Sequence, residues 1–451
     1  MESTVNKLET QLGKANSQTL EAKKLLGIQH LKMDNTKTCL DLFVEIAETH
    51  SSENGVFHED TTEALSNVFT LSQWEESSEL EGVVELFRRH SEEFKIKRGV
   101  QHASTVELVD KLAKLLVKSG KKEEAFNEWN ELIEQQINID GPNSAASLMS
   151  LNRKAILHEN LGEFSKAIEA YRAVVAGHAK NDGPDASVTL QIQWNLADAY
   201  QNAGRKVEAT PLLRELFTKM LDRWDIDDID TVKSLNSLAH AYLYDGREIQ
   251  AEELLDQHYF PAIAFLLEVD SEDEESREYR EFAMRLSLVR AKAWLKTGAV
   301  EDAVELLSEL HDTDWTDFVT DGLKGESDVL WAEALIQSED FEDVIEVASN
   351  AHKFFKDLDE DSGMTHYAAT VLGQAHAKNE NYGFAEKLLL SGVEGLLANQ
   401  QDLNINTRRQ QTEIALKRIV ELYTAWEKPE KAKPWQKKLD ELPKPKETEF
   451  F

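Results

Sequence analysis

Thr189-Leu-Gln-Ile-Gln-Trp-Asn-Leu-Ala-Asp-Ala-Tyr200 is followed by Gly204 and Ala209, and 42 residues further on Thr231-Val-Lys-Ser-Leu-Asn-Ser-Leu-Ala-His-Ala-Tyr242 is followed by Gly246 and Ala251. Within each stretch apolar residues recur at three and four, the spacing of one helix face. Gly204 and Gly246 stand where a left-handed cap is easiest without a Cβ. The helix after Gly204 carries Ala209 and then Leu212, Leu213, Leu216 and Phe217 on one side. A small residue at Ala209 lets the two helices cross closely. The unit is a helical hairpin.

Working outward, both tracks continue. Gly120, Gly162, Gly204 and Gly246 are spaced 42 residues apart, and so are Ala125, Ala167, Ala209 and Ala251. The unit before the quoted pair has Leu148, Leu151 and Ala155 on its first helix, and Asp140-Gly141-Pro142 and Asp182-Gly183-Pro184 mark turns between units. Gly298 and Ala303 come 52 residues after their predecessors. That spacing places an insertion in Val269–Tyr279, with the acidic run Asp270-Ser-Glu-Asp-Glu-Glu275. Later units keep Val344, Ala385 and Ala432, with Glu339, Glu380 and Glu427 in place of the turn glycine. Before Gln101 the period fades, although Thr38–His50, Thr61–Gln73 and Leu80–Lys95 read as amphipathic helices and Met1–Leu26 as one polar, frayed helix. The expectation is an all-α protein, an α-solenoid of about eight antiparallel helix pairs wound as a right-handed superhelix. Its parts are divergent helices over 1–100, regular repeats over 101–268, the acidic insertion at 269–279, divergent repeats over 280–441 and a tail at 442–451.

Composition agrees. In 451 residues there are 20 Gly and 8 Pro, few enough to favour helix, and 41% hydrophobic residues to build a core. Lys and Arg total 50 against 84 Asp and Glu, a net charge of −34. Such a chain repels nucleic-acid phosphate and anionic membranes, so no nucleic-acid partner is expected. Basic partners or divalent cations are attracted instead, or the charge simply keeps the surface solvated. Cys39 is the one cysteine, which fits a reducing compartment. No run approaches the ~18 apolar residues of a membrane helix, and the first residues do not resemble a signal peptide. These features predict a cytoplasmic protein with no membrane insertion.

The 42-residue units, with Thr-Leu-x-x-x-x-Asn-Leu-Ala-x-x-Tyr at 189–200 and Gly204-Arg205 after it, resemble kinesin-light-chain-type tetratricopeptide repeats. Val371-Leu-Gly-Gln374, Tyr382, Ala385-Glu386, Leu388-Leu-Leu-Ser-Gly-Val-Glu-Gly-Leu396 and Arg418-Ile-Val-Glu-Leu-Tyr-Thr-Ala-Trp-Glu-Lys-Pro-Glu-Lys-Ala-Lys-Pro-Trp435 resemble the repeat region of planctomycete serine/threonine kinases, a bacterial group. Those kinases carry a catalytic domain before the repeats. This chain has no glycine-rich phosphate loop ahead of Val-Ala-x-Lys, no His-Arg-Asp and no Asp-Phe-Gly. The resemblance implies a scaffold and not a kinase.

Motifs for chemistry fail on spacing. Gly120-Lys121 lacks the earlier Gly of a phosphate loop, since Leu115 stands there, and Lys122 replaces its Ser or Thr. Asp357, Asp359 and Asp361 lack the Gly and closing Glu of a calcium loop, where Ser362 and Ala368 stand. His50 and His58, near Glu53, Glu59 and Asp60, match no metal spacing. The reading is no enzyme, no metal and no cofactor. Trp74, Trp129, Trp294, Trp331 and Trp426 are expected to pack between helices, and Lys428–Lys446 to be an exposed basic end that is solvated or else docks on the acidic body or on a partner.

Binding residues are sought on the concave wall, which the first helix of each pair lines. The central units offer Asn152, Glu159 and Asn160, then Trp194, Asp198, Gln201 and Asn202, then Lys233, Asn236, His240 and Tyr244. Amides and aromatics of this kind can bond and stack on a peptide main chain. Flanking units offer Lys114 and Lys118, and Arg285, Lys292 and Lys296. These cations either grip carboxylates or neutralise neighbouring acidic units. The function expected is a non-catalytic protein-interaction scaffold that binds a protein or peptide, with a self-assembling structural solenoid, a homo-oligomer, as the alternative.

Overall fold

The computed structural model describes residues 2–33, 35–75, 79–268, 274–313, 321–339, 343–398 and 405–442, without the side chains of 274–275, 321 and 405–408. Residues 270–273 of the acidic run and the end of the basic tail at 443–446 therefore lie outside the description. The chain divides into two compact units between Thr189 and Leu190. The first holds α1 (Glu2–Leu12), α2 (Ser17–Lys32), α3 (Thr36–Asn54), α4 (Glu59–Ser72), α5 (Glu81–Lys97), α6 (Ala103–Lys118), α7 (Lys122–Asp140), α8 (Ala145–Asn160) and α9 (Phe164–Asn181). Helix α10 (Ser187–Asn202) opens the second, followed by α11 (Lys206–Trp224), α12 (Ile229–Tyr244), α13 (Glu248–Glu268), α14 (Glu274–Thr297), α15 (Val300–Asp312), α16 (Asp321–Gln337), α17 (Val344–Leu358), α18 (Gly363–Lys378), α19 (Tyr382–Ala398), α20 (Ile405–Ala425) and α21 (Pro429–Asp440).

The described residues form helices and turns with no strand. Among the described residues the helices after α1 succeed one another as ten hairpins, not about eight. The extra pairs are α2–α3 and α4–α5, whose inter-helix turns carry no glycine to mark them. The expected single polar helix at the N-terminus is also corrected. It breaks at Gly13, whose φ is 90°, and Asn16 caps α2 by accepting the Gln18 N–H at 3.0 Å. Lys23 of α2 is buried between Glu9 and Glu45 at 2.5 and 2.7 Å, which ties α1, α2 and α3 together.

Two sets of turns build the hairpins. Gly120, Gly162, Gly204, Gly246 and Gly298 close the first helices with φ between 69° and 98°, and Glu339, Glu380 and Glu427 take the same left-handed conformation at 61°, 59° and 55°. Between hairpins, the carbonyls of Gly55, Gly99, Gly141 and Gly183 accept the hydroxyls of Thr61, Thr105, Ser147 and Thr189, six residues on, at 2.8–3.1 Å. Thr365 does the same to Asp359 at 2.6 Å. All five hydroxyl residues are buried. Each bond satisfies a carbonyl at a helix end that has no partner within the helix.

The small-residue track lies at the crossings, where Ala125, Ala167, Ala209, Ala251, Ala303, Val344 and Ala385 are buried. Leu112 and Trp129 are fully enclosed in the first unit; Leu213, Leu255, Leu389 and Leu416 are fully enclosed in the second. Trp331 and Trp426 are partly buried on the C-terminal cluster and Trp294 on the cluster before it. Trp74 departs from expectation. It is 60% exposed, because it sits on the turn beyond Ser72, the last buried residue of α4. The basic end is not simply solvated either: α21 buries Ala432, seats Trp435 and Leu439 on the last core cluster and places Lys431 2.6 Å from Glu386. No helix among the described residues is long and apolar enough to cross a membrane.

Candidate functional site

In the second unit, consecutive first helices touch one another: α12 with α14, α14 with α16, α16 with α18 and α18 with α20. Together with α10 they surround an open cavity of about 1190 Å³. Counting back from each turn residue (Gly204, Gly246, Gly298, Glu339, Glu380, Glu427) orders its lining. Six positions before the turn stand Asp198, His240, Lys292, Glu333, Gln374 and Glu421. About one turn earlier stand Trp194, Asn236, Val329 and Lys417, and earlier still Arg285, Glu326, Tyr367 and Ile414. Two or three before the turn come Gln201, Asn202, Leu243, Tyr244, Leu295, Lys296, Ile336, Gln337 and Lys378. Steps of three and four keep one face of a helix with 3.6 residues per turn, so each first helix aims the same stripe inward.

Ten of the residues singled out by sequence thus meet in one cavity: Trp194, Asp198, Gln201, Asn202, Asn236, His240, Tyr244, Arg285, Lys292 and Lys296. Trp194 donates its indole N–H to Ser237 at 2.9 Å, which fixes the ring on the wall. Lys206 lies 4.2 Å over the Tyr244 ring, and burial pushes the Tyr244 phenol up. Arg285 is held by Glu281, with Nε 3.0 Å from the carboxylate, and Lys296 approaches Glu248 at 3.9 Å. Among the described residues Lys292 has no carboxylate within 4 Å. His240 opens onto the cavity, but the surrounding wall, then Lys292 and Arg285, hold its imidazole well below the usual range.

Six candidates lie elsewhere, among them Glu159 of the first unit, which accepts the Tyr171 hydroxyl at 2.8 Å. Lys233 leaves the cavity lining for Glu278 at 2.7 Å and the Phe282 ring at 5.2 Å. Lys114, Lys118, Asn152 and Asn160 belong to the first unit. Lys114 pairs with Asp110 at 2.7 Å. Lys118 donates to the carbonyls of Ser72, at 2.8 Å, and Gln73, so its ammonium caps α4. Asn152 is half-buried with an enclosed, unpartnered carbonyl oxygen among the described residues, and Asn160 is exposed.

The sequence reading passed over one part of the wall. Arg418, only 5% exposed, donates Nε to Gln374 at 2.7 Å and Nη1 to Thr370 at 2.8 Å, and its Nη2 meets Glu333. Tyr367 donates to the same Glu333 oxygen at 2.6 Å, and the guanidinium lies 5.0 Å over the Tyr367 ring. Burial drives the Tyr367 phenol far above its usual range, so it remains a donor. This network pins α16, α18 and α20 side by side. Counted back from Glu339, Glu380 and Glu427, the offsets that find Trp194 and His240 also reach Glu333, Gln374 and Lys417, the last of them next to Arg418.

The weak motifs resolve into local structure. His58 accepts the Asp60 N–H at 3.3 Å and caps α4, and His50 lies 3.8 Å from Asp60. Asp359 accepts the Asp361 N–H at 3.0 Å in the turn before α18. Lys121 reaches Glu81 at 2.5 Å. Cys39 is buried, and burial raises its thiol pKa. Among the described residues no group of three or more His, Cys, Asp or Glu could hold a metal ion.

No family model matches the chain, and no curated protein matches it. Solved structures do. A Rap protein complexed with Competence and Sporulation Factor superposes with a TM-score of 0.52 at 11% identity, over 85% of this chain and 98% of that one. A Podosopora anserina putative kinesin light chain with nearly identical TPR-like repeats gives 0.38 at 25% identity, over 46% of this chain and 94% of that one. BtubC (BKLC) from P. vanneervenii gives 0.41 at 16% identity, over 53% and 92%. The likeness to kinase-fused repeats rests on the sequence motifs alone. With its paired turn and small-residue tracks folded as successive helical hairpins, this chain has an all-α solenoid fold, similar to that of tetratricopeptide-repeat proteins.

Proposed function

We propose that the protein is a non-catalytic cytoplasmic scaffold that holds a peptide, or an extended segment of a partner protein, in the cavity of its second unit. The observation that carries this reading is the lining itself. Seven amides (Gln201, Asn202, Asn236, Gln337, Gln374, Gln410 and Gln411) alternate there with Trp194, Tyr244, Phe282 and aliphatic residues. Amides supply both donors and acceptors to a main chain, while aromatic and aliphatic groups take side chains. Rigid aromatic anchors surrounded by polar groups are the pattern of binding hot spots. The cavity is larger than the ~300–1,000 Å³ usual for small-molecule sites. The Rap protein complexed with Competence and Sporulation Factor has a comparable fold, and that complex supports the reading.

The test is site-specific cross-linking. A photoreactive phenylalanine analogue would replace Trp194 in one variant and the 67% exposed Phe260, which is absent from the cavity lining, in another. The expected outcome is a discrete adduct from the 194 position only, lost when Asn236→Ala and Tyr244→Ala are added. Equal labelling from both positions, or an adduct indifferent to the added changes, would sink the proposal.

A further inference from the structure

We infer that a crevice of the first unit, between α2, α3 and α4, receives an arginine-bearing segment of a partner protein. This docking site is separate from the cavity of the second unit and does not depend on what that cavity holds.

The crevice follows from helix spacing. Helices α2 and α4 are successive first helices, but they do not lie against one another as α12, α14, α16, α18 and α20 do. Lys24 of α2 reaches Glu63 of α4 across the gap at 3.6 Å. Beside that bridge an open cavity of about 320 Å³ remains. Its floor is apolar: Leu20, Phe43, Ile46 and Ala64 line it, each less than a tenth exposed. Its rim is acidic. Glu21 of α2, Glu53 of α3 and Asp60 and Glu63 of α4 stand there against one lysine, Lys24.

These carboxylates are not equally committed. Glu63 has Lys24, and Asp60 accepts the Asn54 amide at 3.4 Å and lies 3.3 Å from His58. Lys14 and Lys23, close in sequence, are both held by Glu45. Glu21 and Glu53 have no cation within 4 Å among the described residues, and they border the same gap from two different helices.

An apolar floor under such a rim selects its occupant. Among the described residues no group of three or more ligands could hold a metal ion. An aliphatic side chain would cover the floor but leave the rim unanswered. A long basic side chain does both, with its methylene stem on the floor and its charged head at the rim. Arginine fits better than lysine, because its planar head offers five donors to carboxylates and lies flat on an aromatic face, and Phe43 is part of the floor. The segment is foreign. A second copy of this chain, itself at −34, would be repelled.

The test uses the full-length protein and two labelled hexapeptides, acetylated and amidated. They alternate leucine with arginine or with citrulline, which keeps the shape of arginine without its charge. Anisotropy titrations compare wild type with three variants, and melting curves verify folding. Glu21→Gln/Glu53→Gln removes the two uncommitted carboxylates. Ser17→Trp, at an exposed lining position, plugs the crevice without changing its charge. Glu253→Gln/Glu301→Gln removes two exposed carboxylates of the second unit. Wild type should bind the arginine peptide about tenfold more tightly than the citrulline peptide. Both crevice variants should lose most of that preference, and the second-unit variant should keep it within about twofold. Loss in only one crevice variant, or an equal preference in every protein, would assign the binding to the general acidic surface and overturn the inference. Absence of any preference in wild type would overturn it as well. Spermidine that displaces the arginine peptide at the peptide's own concentration would assign the crevice to free polyamines and overturn the docking of a partner segment.

Discussion

Glu380 holds φ at 59° in the turn between α18 and α19, a conformation that costs a residue with a Cβ about 1 kcal/mol and glycine almost nothing. Its cap matches the glycine caps bond for bond. Glu380 N–H reaches Ala377 at 3.1 Å and Asn381 N–H reaches His376 at 2.9 Å, just as Gly204 reaches Gln201 and Arg205 reaches Tyr200. The Glu380 side chain is exposed. Glu380→Gly should therefore raise stability by about 0.5–1 kcal/mol, visible as a higher midpoint in urea, and a lower midpoint would contradict this account. A second residue supplies a pH test. Glu163 accepts from Lys122 at 2.7 Å and from His158 at 2.6 Å. Burial works against its charge, but the hydrogen bonds from Lys122, His158 and Lys166 outweigh it and lower the carboxyl to about 2. The folded-state pKa lies below the unfolded one, so this stabilisation is full above about pH 4.5 and fades as pH falls towards 2. Glu163→Gln should cost on the order of 1–3 kcal/mol at pH 7, with the gap to wild type closing on acidification. A gap that stays constant down to pH 3 would show that the loss is steric.

A close crossing between helices lies in the α18–α19 hairpin. A Cβ on Gly392 would stand 2.6 Å from the His366 carbonyl and 2.5 Å from a Thr370 methyl. Backbone cannot yield as a flexible side chain does, so Gly392→Ala should destabilise by about 1–3 kcal/mol. Gly383→Ala, in the same helix with open space around it, is the control and should be neutral or slightly stabilising. Equal melting temperatures for the two variants would refute the crossing. How legible each element was follows from the same physics. The hairpins from Gln101 onwards were readable because turn and crossing both demand special residues at a fixed period. The amino-terminal pairs were not, because the α2–α3 and α4–α5 turns do without glycine. The single helix expected over Met1–Leu26 failed on one residue, Gly13, which ends α1 before α2 begins. Helix α21 looked like a basic tail because its lysines dominate the composition, whereas Ala432, Trp435 and Leu439 decide where it docks.

At the scale of the molecule, the site was half legible. Period and offset located the wall of α10, α12 and α14, since both could be counted from a glycine. The walls of α16, α18 and α20 obey the same count from Glu339, Glu380 and Glu427, but the candidate residues read from the sequence stopped at Lys296. Which cations are spoken for was only partly in the sequence: Glu281 stands four residues before Arg285 on the same helix, whereas Glu248 and Ser72 are chosen by packing. Charge sets a final, global expectation. A chain of net charge −34 repels itself more when compact than when extended. Most of its ion pairs among the described residues have at least one exposed partner, and fully exposed ones such as Lys433–Glu430 or Lys37–Glu79 contribute about 0–1 kcal/mol each. Screening shortens the reach of both effects, to ~10 Å at about 0.1 M salt, but the summed repulsion is the longer-ranged one and is lost first. Raising NaCl from about 10 to about 300 mM at pH 7 should therefore raise the melting temperature by a few degrees. A fall over that range would mean that the ion pairs, and not burial at the crossings, hold the repeats together.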